Sequence, residues 1–155
     1  MDLKIEGRTA LISGSTAGIG WAIAKRLASE GAAVVLNGRT QARVDEAVER
    51  LEAEVPNASV RGIAADLGSA DGVALIAESL PQVDILVNNV GIFEPAPFLE
   101  IDDANWMRHF EVNVMSGVRL TRLYLGGMKE RGWGRVVFIS SESGCRSPRR
   151  WSSTA

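Results

Sequence analysis

The chain has 155 residues, 46% of them hydrophobic, and a formal net charge of −2: one domain's length with enough apolar material for a core. Its one cysteine, Cys145, and one histidine, His109, exclude a disulfide framework and a multi-cysteine zinc site, and lead us to expect a cytoplasmic protein without a metal. Three arginines fall in the last eleven residues, so the rest sets 14 basic against 19 acidic residues, a charge of −5 that argues against nucleic acid; no apolar run approaches the roughly 20 residues that span a bilayer.

Thr9 to Ser13 (TALIS) is a short apolar run followed by glycines, and Ile19 to Leu27 then repeats apolar residues at helical spacing. That is strand, turn, helix. AAVVLN at 32–37 predicts a second strand, and ARVDEAVERLEAEV at 42–55 a helix with Val44, Val48, Leu51 and Val55 on one face. SVRGIAA near 59–65 reads as a strand, Ala70 to Leu80 as a helix, and VDILVNN at 83–89 as a strand apolar enough to be buried on both faces. Asp103 to Arg131 predicts a long helical stretch broken once near Val112, and GRVVFIS at 134–140 a fifth strand. Strands alternating with helices predict an α/β fold, a doubly wound parallel sheet with helices on both faces.

Gly14, Gly18 and Gly20 in SGSTAGIG fall between the first strand and the first helix, where a tight turn lets backbone N–H groups approach an anion at the helix start. A Cβ would block that approach, and some such turns need positive φ. A purely structural turn would use glycine too. The spacing lacks the Gly-Lys-Ser/Thr ending of a nucleoside-triphosphate loop and differs from G-x-G-x-x-G.

This pattern resembles the short-chain dehydrogenase/reductase family, whose glycine motif is T-G-x-x-x-G-x-G, with Ser13 here in place of Thr. Asp66-Leu67 after the third strand resembles the family's adenine-contacting pair, and NNVG at 88–91 resembles N-N-A-G. The resemblance implies a Rossmann-type sheet in strand order 3-2-1-4-5 and a dinucleotide held by Gly14, Thr16, Gly18, Ile19 and Gly20. It also implies that Asn88 and Gly91 border the cofactor, that Asn113 in FEVNVMSG helps hold a water in a proton relay, and that Ser141 hydrogen-bonds the substrate carbonyl. A helix asparagine could equally be a buried polar spacer, and Ser140 competes with Ser141.

The second strand ends in LNGRT. An acid at its end would accept from the adenosine ribose hydroxyls and repel a 2′-phosphate, whereas a guanidinium attracts that phosphate. Gly38 occupies the family's usual acid position and Arg39 follows, which favours NADP over NAD. The alternative is a solvated turn arginine, and Ala17 lends no second cation where NADP-preferring relatives often carry one. His109 has no second histidine or carboxylate at ligand spacing, and the tryptophans read as packing residues.

The family's proton donor is a tyrosine in Y-x-x-x-K, where a nearby ammonium favours phenolate and brings exchange toward neutral pH. No tyrosine or lysine follows Ser141, and Thr154 stands where the tyrosine is expected. Tyr124 with Lys129 is one residue too widely spaced and precedes the fifth strand. Cys145 to Ala155, back-translated with permitted codons and read one base earlier, gives Val-Gln-Ile-Pro-Ala-Glu-Met-Val-Leu-Tyr-Gly, which resembles the family's continuation. The expectation is therefore a Rossmann-type domain at 1–144 and an out-of-frame, disordered basic tail at 145–155.

The resulting reading is an NAD(P)-dependent oxidoreductase acting on a small-molecule carbonyl or secondary alcohol, without turnover in this form, and with an apolar edge strand open to self-association. The alternative is a non-catalytic dinucleotide-binding or interaction protein that meets a partner through that edge or the tail.

Overall fold

Within TALI, Ala10 and Ile12 pack on one face while Leu11 packs on the other, and the same alternation separates Val34 and Leu36 from Val35, and Ile85 and Val87 from Leu86. Strands that are apolar at every position can be buried only between two layers of helices. The computed structural model describes residues 3–141, and it has this three-layer form. The strands are β1 (Thr9–Ile12), β2 (Ala33–Gly38), β3 (Val60–Ala64), β4 (Ile85–Asn88) and β5 (Arg135–Phe138), all parallel, in the order β3-β2-β1-β4-β5.

Helices α1 (Gly18–Ser29) and α2 (Gln41–Glu54) cover one face through Ala24, Ala28, Ala47 and Leu51. Helices α3 (Ala70–Ser79) and α5 (Ser116–Glu130) cover the other through Val73, Ile76, Leu120, Tyr124 and Met128. The small alanines of α1 let its backbone come close to the sheet. The five strands and their order agree with the sequence reading, with ends that differ by one or two residues.

The break expected near Val112 is a single π-helical turn, Glu111–Met115, joining α4 (Asp103–Phe110) to α5. Helical backbone continues through it, and the Ser116 hydroxyl donates to the Val112 carbonyl at 2.6 Å. Such a turn inserts one residue's worth of rotation and re-aims the side chains it carries; Asn113 is among them.

Because every strand is parallel, all the loops that follow strands emerge at one edge of the sheet. The connections from β1 run outward one way through β2 and β3, and from β4 the other way to β5, so the crevice between β1 and β4 opens at this carboxyl edge. β5 is an edge strand, with Val137, Phe138 and Ile139 exposed.

Candidate functional site

Past Ile12 the backbone must turn from strand to helix while its polar groups find partners. Four short polar side chains supply them. The buried Ser13 hydroxyl accepts from the N–H of Asn89 at 2.8 Å and of Val90 at 3.0 Å, and donates to the Val87 carbonyl at 3.3 Å. The Asn89 amide donates back to the Ser13 and Gly14 carbonyls, each at 3.0 Å. The glycine loop and the loop after β4 are thus laced together.

On the other side, the Ser15 hydroxyl donates to the Ile12 carbonyl at 2.7 Å and accepts from the Asn37 N–H at 3.0 Å. The Asn37 side chain, 1% exposed, accepts from the Gly14 N–H at 3.2 Å and donates to the carbonyls of Ile63 and Ala65 at 3.2 and 3.1 Å. One asparagine therefore joins the ends of β1, β2 and β3 with its polar atoms satisfied.

Gly14 and Gly18 take φ of +60° and +59°, the left-handed region that glycine enters freely. A Cβ at Gly18 would meet nothing within 4 Å, so its surroundings are open. A Cβ at Gly20 would lie 2.5 Å from Asn89 Nδ2 and 2.6 Å from the Gly14 carbonyl oxygen. Its glycine is a packing requirement, the first turn of α1 being pressed onto the loop.

Helix starts leave N–H groups without intrahelical acceptors. The starts of α3 and α4 are capped, by Ser69 accepting from the Gly72 N–H and Asp102 from the Asn105 N–H. The starts of α1 and α2 have no side-chain cap and no acid in the first turn. Their flanking residues Ala17 and Thr40 both line a cavity of about 360 Å³ at the carboxyl edge of the sheet. This cavity is bounded by Gly14 and Thr16 after β1, Gly38 and Arg39 at the end of β2, Asp66 and Leu67 after β3, Gly91 after β4, and Arg108 and Val112 on the α4 side.

Of the residues singled out by sequence, Gly14, Thr16, Arg39, Asp66, Leu67 and Gly91 therefore converge on one cavity, with Gly18, Ile19 and Gly20 forming the adjoining first turn of α1. Asp66 accepts from the Gly68 N–H at 3.0 Å, and Leu67 is buried in the core beneath. Asn88 does not line the cavity: it is buried, and its amide donates to the Thr121 hydroxyl of α5 at 3.2 Å. Asn113 reaches the loop after β4, where it bonds the backbone of Ile92. A Cβ at Gly91 would come within 3.3 Å of its Oδ1. Ser141 lies three residues beyond β5, exposed at the same edge. His109 Nδ1 is 2.9 Å from the Asn105 carbonyl oxygen, in an ordinary i to i−4 contact. The 145–155 tail lies outside the described residues.

Sequence reasoning missed Ser15, Asn37, Asn89, Arg43 and Arg108. An asparagine closing the apolar run AVVLN was the available signal for Asn37, since a buried amide must be satisfied by something. Arg108 pairs with Glu94 at 2.5 Å. The hydrogen bond from Arg108 holds the Glu94 carboxyl below its usual range, and the same bond raises the guanidinium. The chain's one tyrosine, Tyr124, donates to the Leu80 carbonyl at 2.9 Å in the apolar cluster beneath the sheet, and burial pushes its hydroxyl up to about 12.

A family model described as short chain dehydrogenase matches residues 8–153. The uncharacterized oxidoreductase YvaG of Bacillus subtilis (strain 168) is 52% identical over 143 residues, covering 92% of this chain and 54% of that protein. The structure of L-sorbose reductase from Gluconobacter frateurii, complexed with NADPH and L-sorbose, superposes with a TM-score of 0.88 at 35% identity, over 96% of this chain and 58% of that one. A 7α-hydroxysteroid dehydrogenase complexed with NADH gives 0.85 at 30% identity, over 95% of this chain and 58% of that one. The chain spans about half the length of the curated relatives it matches.

Proposed function

Since this chain belongs to the short-chain dehydrogenase family, we propose that residues 1–144 are the dinucleotide-binding part of an NADP-preferring oxidoreductase that exchanges hydride with a carbonyl or secondary alcohol. One observation carries this reading. Of the four α-helices that start from a loop, the two without side-chain caps, α1 and α2, are those whose starts border the cavity, and backbone N–H groups left open there suit phosphate oxygens. When bound, the nicotinamide cofactor supplies or accepts the hydride. Gly14, Thr16, Gly18, Ile19 and Gly20 hold its pyrophosphate, and Asp66 and Leu67 contact the adenine. Arg39 takes the 2′-phosphate, since Gly38 leaves no acid at the end of β2 to repel it. Relatives of this fold hold NADPH in one structure and NADH in another, so local charge must make the choice.

Gly91 borders the nicotinamide side, and Asn88 keeps β4 seated against α5. Asn113 orders the relay from the π turn, and Ser141 polarises the substrate carbonyl. Tyr124 is not the proton donor: its hydroxyl is buried on the α5 side and already bonded to Leu80. With no other tyrosine in the sequence, the chain by itself binds cofactor without turnover. It works in the cytoplasm, and the exposed Val137 and Phe138 of β5 favour self-association.

Calorimetric titration of the chain with NADPH and NADH, alongside turnover assays on a panel of ketones and secondary alcohols, tests this reading. The expected result is NADPH binding about ten-fold tighter than NADH, the worth of one charge-assisted contact, without turnover. Absence of binding by either cofactor overturns the dinucleotide reading. Equal affinities overturn the NADP preference alone.

A further inference from the structure

The sequence offers no cation at Ala17 to assist Arg39, yet the structure supplies one from a different element. Arg43, in the first turn of α2, lines the same cavity as Arg39. It also lines an adjoining groove with Thr16, Ala17, Glu46 and Arg50, so Arg43 and Ala17 border the same space. Spacing explains how. Residues 43, 47 and 50 lie on one stripe of α2, and that stripe passes along the glycine loop: the Arg50 guanidinium donates to the Thr16 carbonyl at 3.3 Å and stacks on Trp21 at 3.9 Å.

The charge balance of the cavity singles out two groups. Among its lining residues, Arg108 is engaged by Glu94 at 2.5 Å. Asp66, the one carboxylate in the lining, accepts from the Gly68 N–H and acts electrostatically on Arg108. Arg39 and Arg43 are exposed, and among the described residues neither has an ion-pair partner, although Glu46 of the adjoining groove is close in sequence. Two like charges on the wall of one cavity without a counter-ion favour a bound dianion there.

We propose that Arg43 is a second specificity-determining residue for the adenosine 2′-phosphate, supplying from α2 the cation that the glycine loop lacks at Ala17. This rests on the dinucleotide reading above. Arg39 approaches the phosphate from the end of β2, and Arg43 closes the side toward the glycine loop. A guanidinium on a helix is better placed than one on a turn, because its Cα position is fixed.

The test measures calorimetric affinity of the full chain for two probes, adenosine 2′,5′-bisphosphate and ADP, in wild type, Arg39→Ala, Arg43→Ala, Arg43→Lys and the control Arg122→Ala on the far helix α5. Circular dichroism checks that each variant is folded. The expected result is a loss of about ten-fold in bisphosphate affinity for Arg43→Ala, with ADP affinity unchanged, partial recovery in Arg43→Lys, and no effect in Arg122→Ala. If Arg43→Ala keeps the full preference while Arg39→Ala loses it, this inference is overturned and the NADP reading stands. If wild type binds both probes equally, the inference falls together with the NADP preference; if it binds neither, the dinucleotide site itself falls.

Discussion

The Asn113 side chain holds the Ile92 peptide unit at both ends: Oδ1 accepts from the Ile92 N–H at 2.7 Å and Nδ2 donates to the Ile92 carbonyl at 3.0 Å. This two-point bond joins the π turn between α4 and α5 to the loop that leaves β4. It also accounts for Gly91, where a Cβ would crowd the same oxygen. Asn113→Ala should free this loop while leaving the sheet intact. The bonds are solvent-exposed, so the expected cost is about 1 kcal/mol. Amide exchange should show faster exchange at Ile92 and unchanged protection in α5; unaltered Ile92 protection would count against the role.

The Ser13 hydroxyl accepts from two N–H donors, those of Asn89 and Val90. Ser13→Ala leaves the Asn89 and Val90 N–H groups unsatisfied, at an expected cost of about 1–3 kcal/mol. Ser13→Thr keeps the oxygen and should cost less. Urea denaturation of both variants distinguishes the hydroxyl's role from simple packing: equal losses would show that the oxygen is not what matters.

Gly38 is confined by neighbours as well as by charge. A Cβ there would stand 2.5 Å from Thr16 Cγ2 and 3.1 Å from Val44 Cγ2. Gly38→Asp, the substitution that should favour NADH, is therefore expected to destabilise the chain by about 1–3 kcal/mol through overpacking. Adding Thr16→Ala should recover part of that loss and reveal the shift from NADPH to NADH. Thermal melts of the single and double variants, followed by cofactor titration, check both halves.

Tyr124 fixes how the chain responds to base. Burial raises its pKa from 10.0 to about 12, partly opposed by Arg61. A group whose folded pKa lies above its unfolded one contributes its stability below the unfolded value and loses it as pH climbs toward the folded one. Stability should thus hold up to pH 10 and fall between 10 and about 12. Because this is the single tyrosine, phenolate absorbance reports it alone, and in native protein it should rise near pH 12. Ionisation near pH 10 without unfolding would contradict the buried placement, and Tyr124→Phe should lose the phenolate signal entirely.

The fold was legible because its signals are local. Apolar runs bounded by glycine marked β1, β2 and β4, and the helical period marked α2 and α5, since burial on two faces or on one stripe leaves a repeating pattern in the chain. Even the interruption near Val112 was anticipated, although its identity as a π turn was not. The site was legible only in part. Gly14, Arg39 and Gly91 follow strand ends and carry recognisable motifs. Asn37 and Asn89 act through hydrogen bonds to residues far away in sequence, and Arg43 looks like any solvated helix charge.

What the sequence alone determined is the order and type of the elements, the parallel sheet they build, and the glycine-rich turn at its carboxyl edge. These depend on each segment's own period and on backbone freedom at single residues. The tertiary structure decided which polar groups meet: that Ser13 and Asn89 lace two loops, that Asn88 belongs to the α5 packing, that Tyr124 is consumed by Leu80, and that Arg43 and Ala17 border one groove. Hydrogen bonds and charge pairs act over a few ångströms between segments tens of residues apart in the chain, so only the folded chain fixes them.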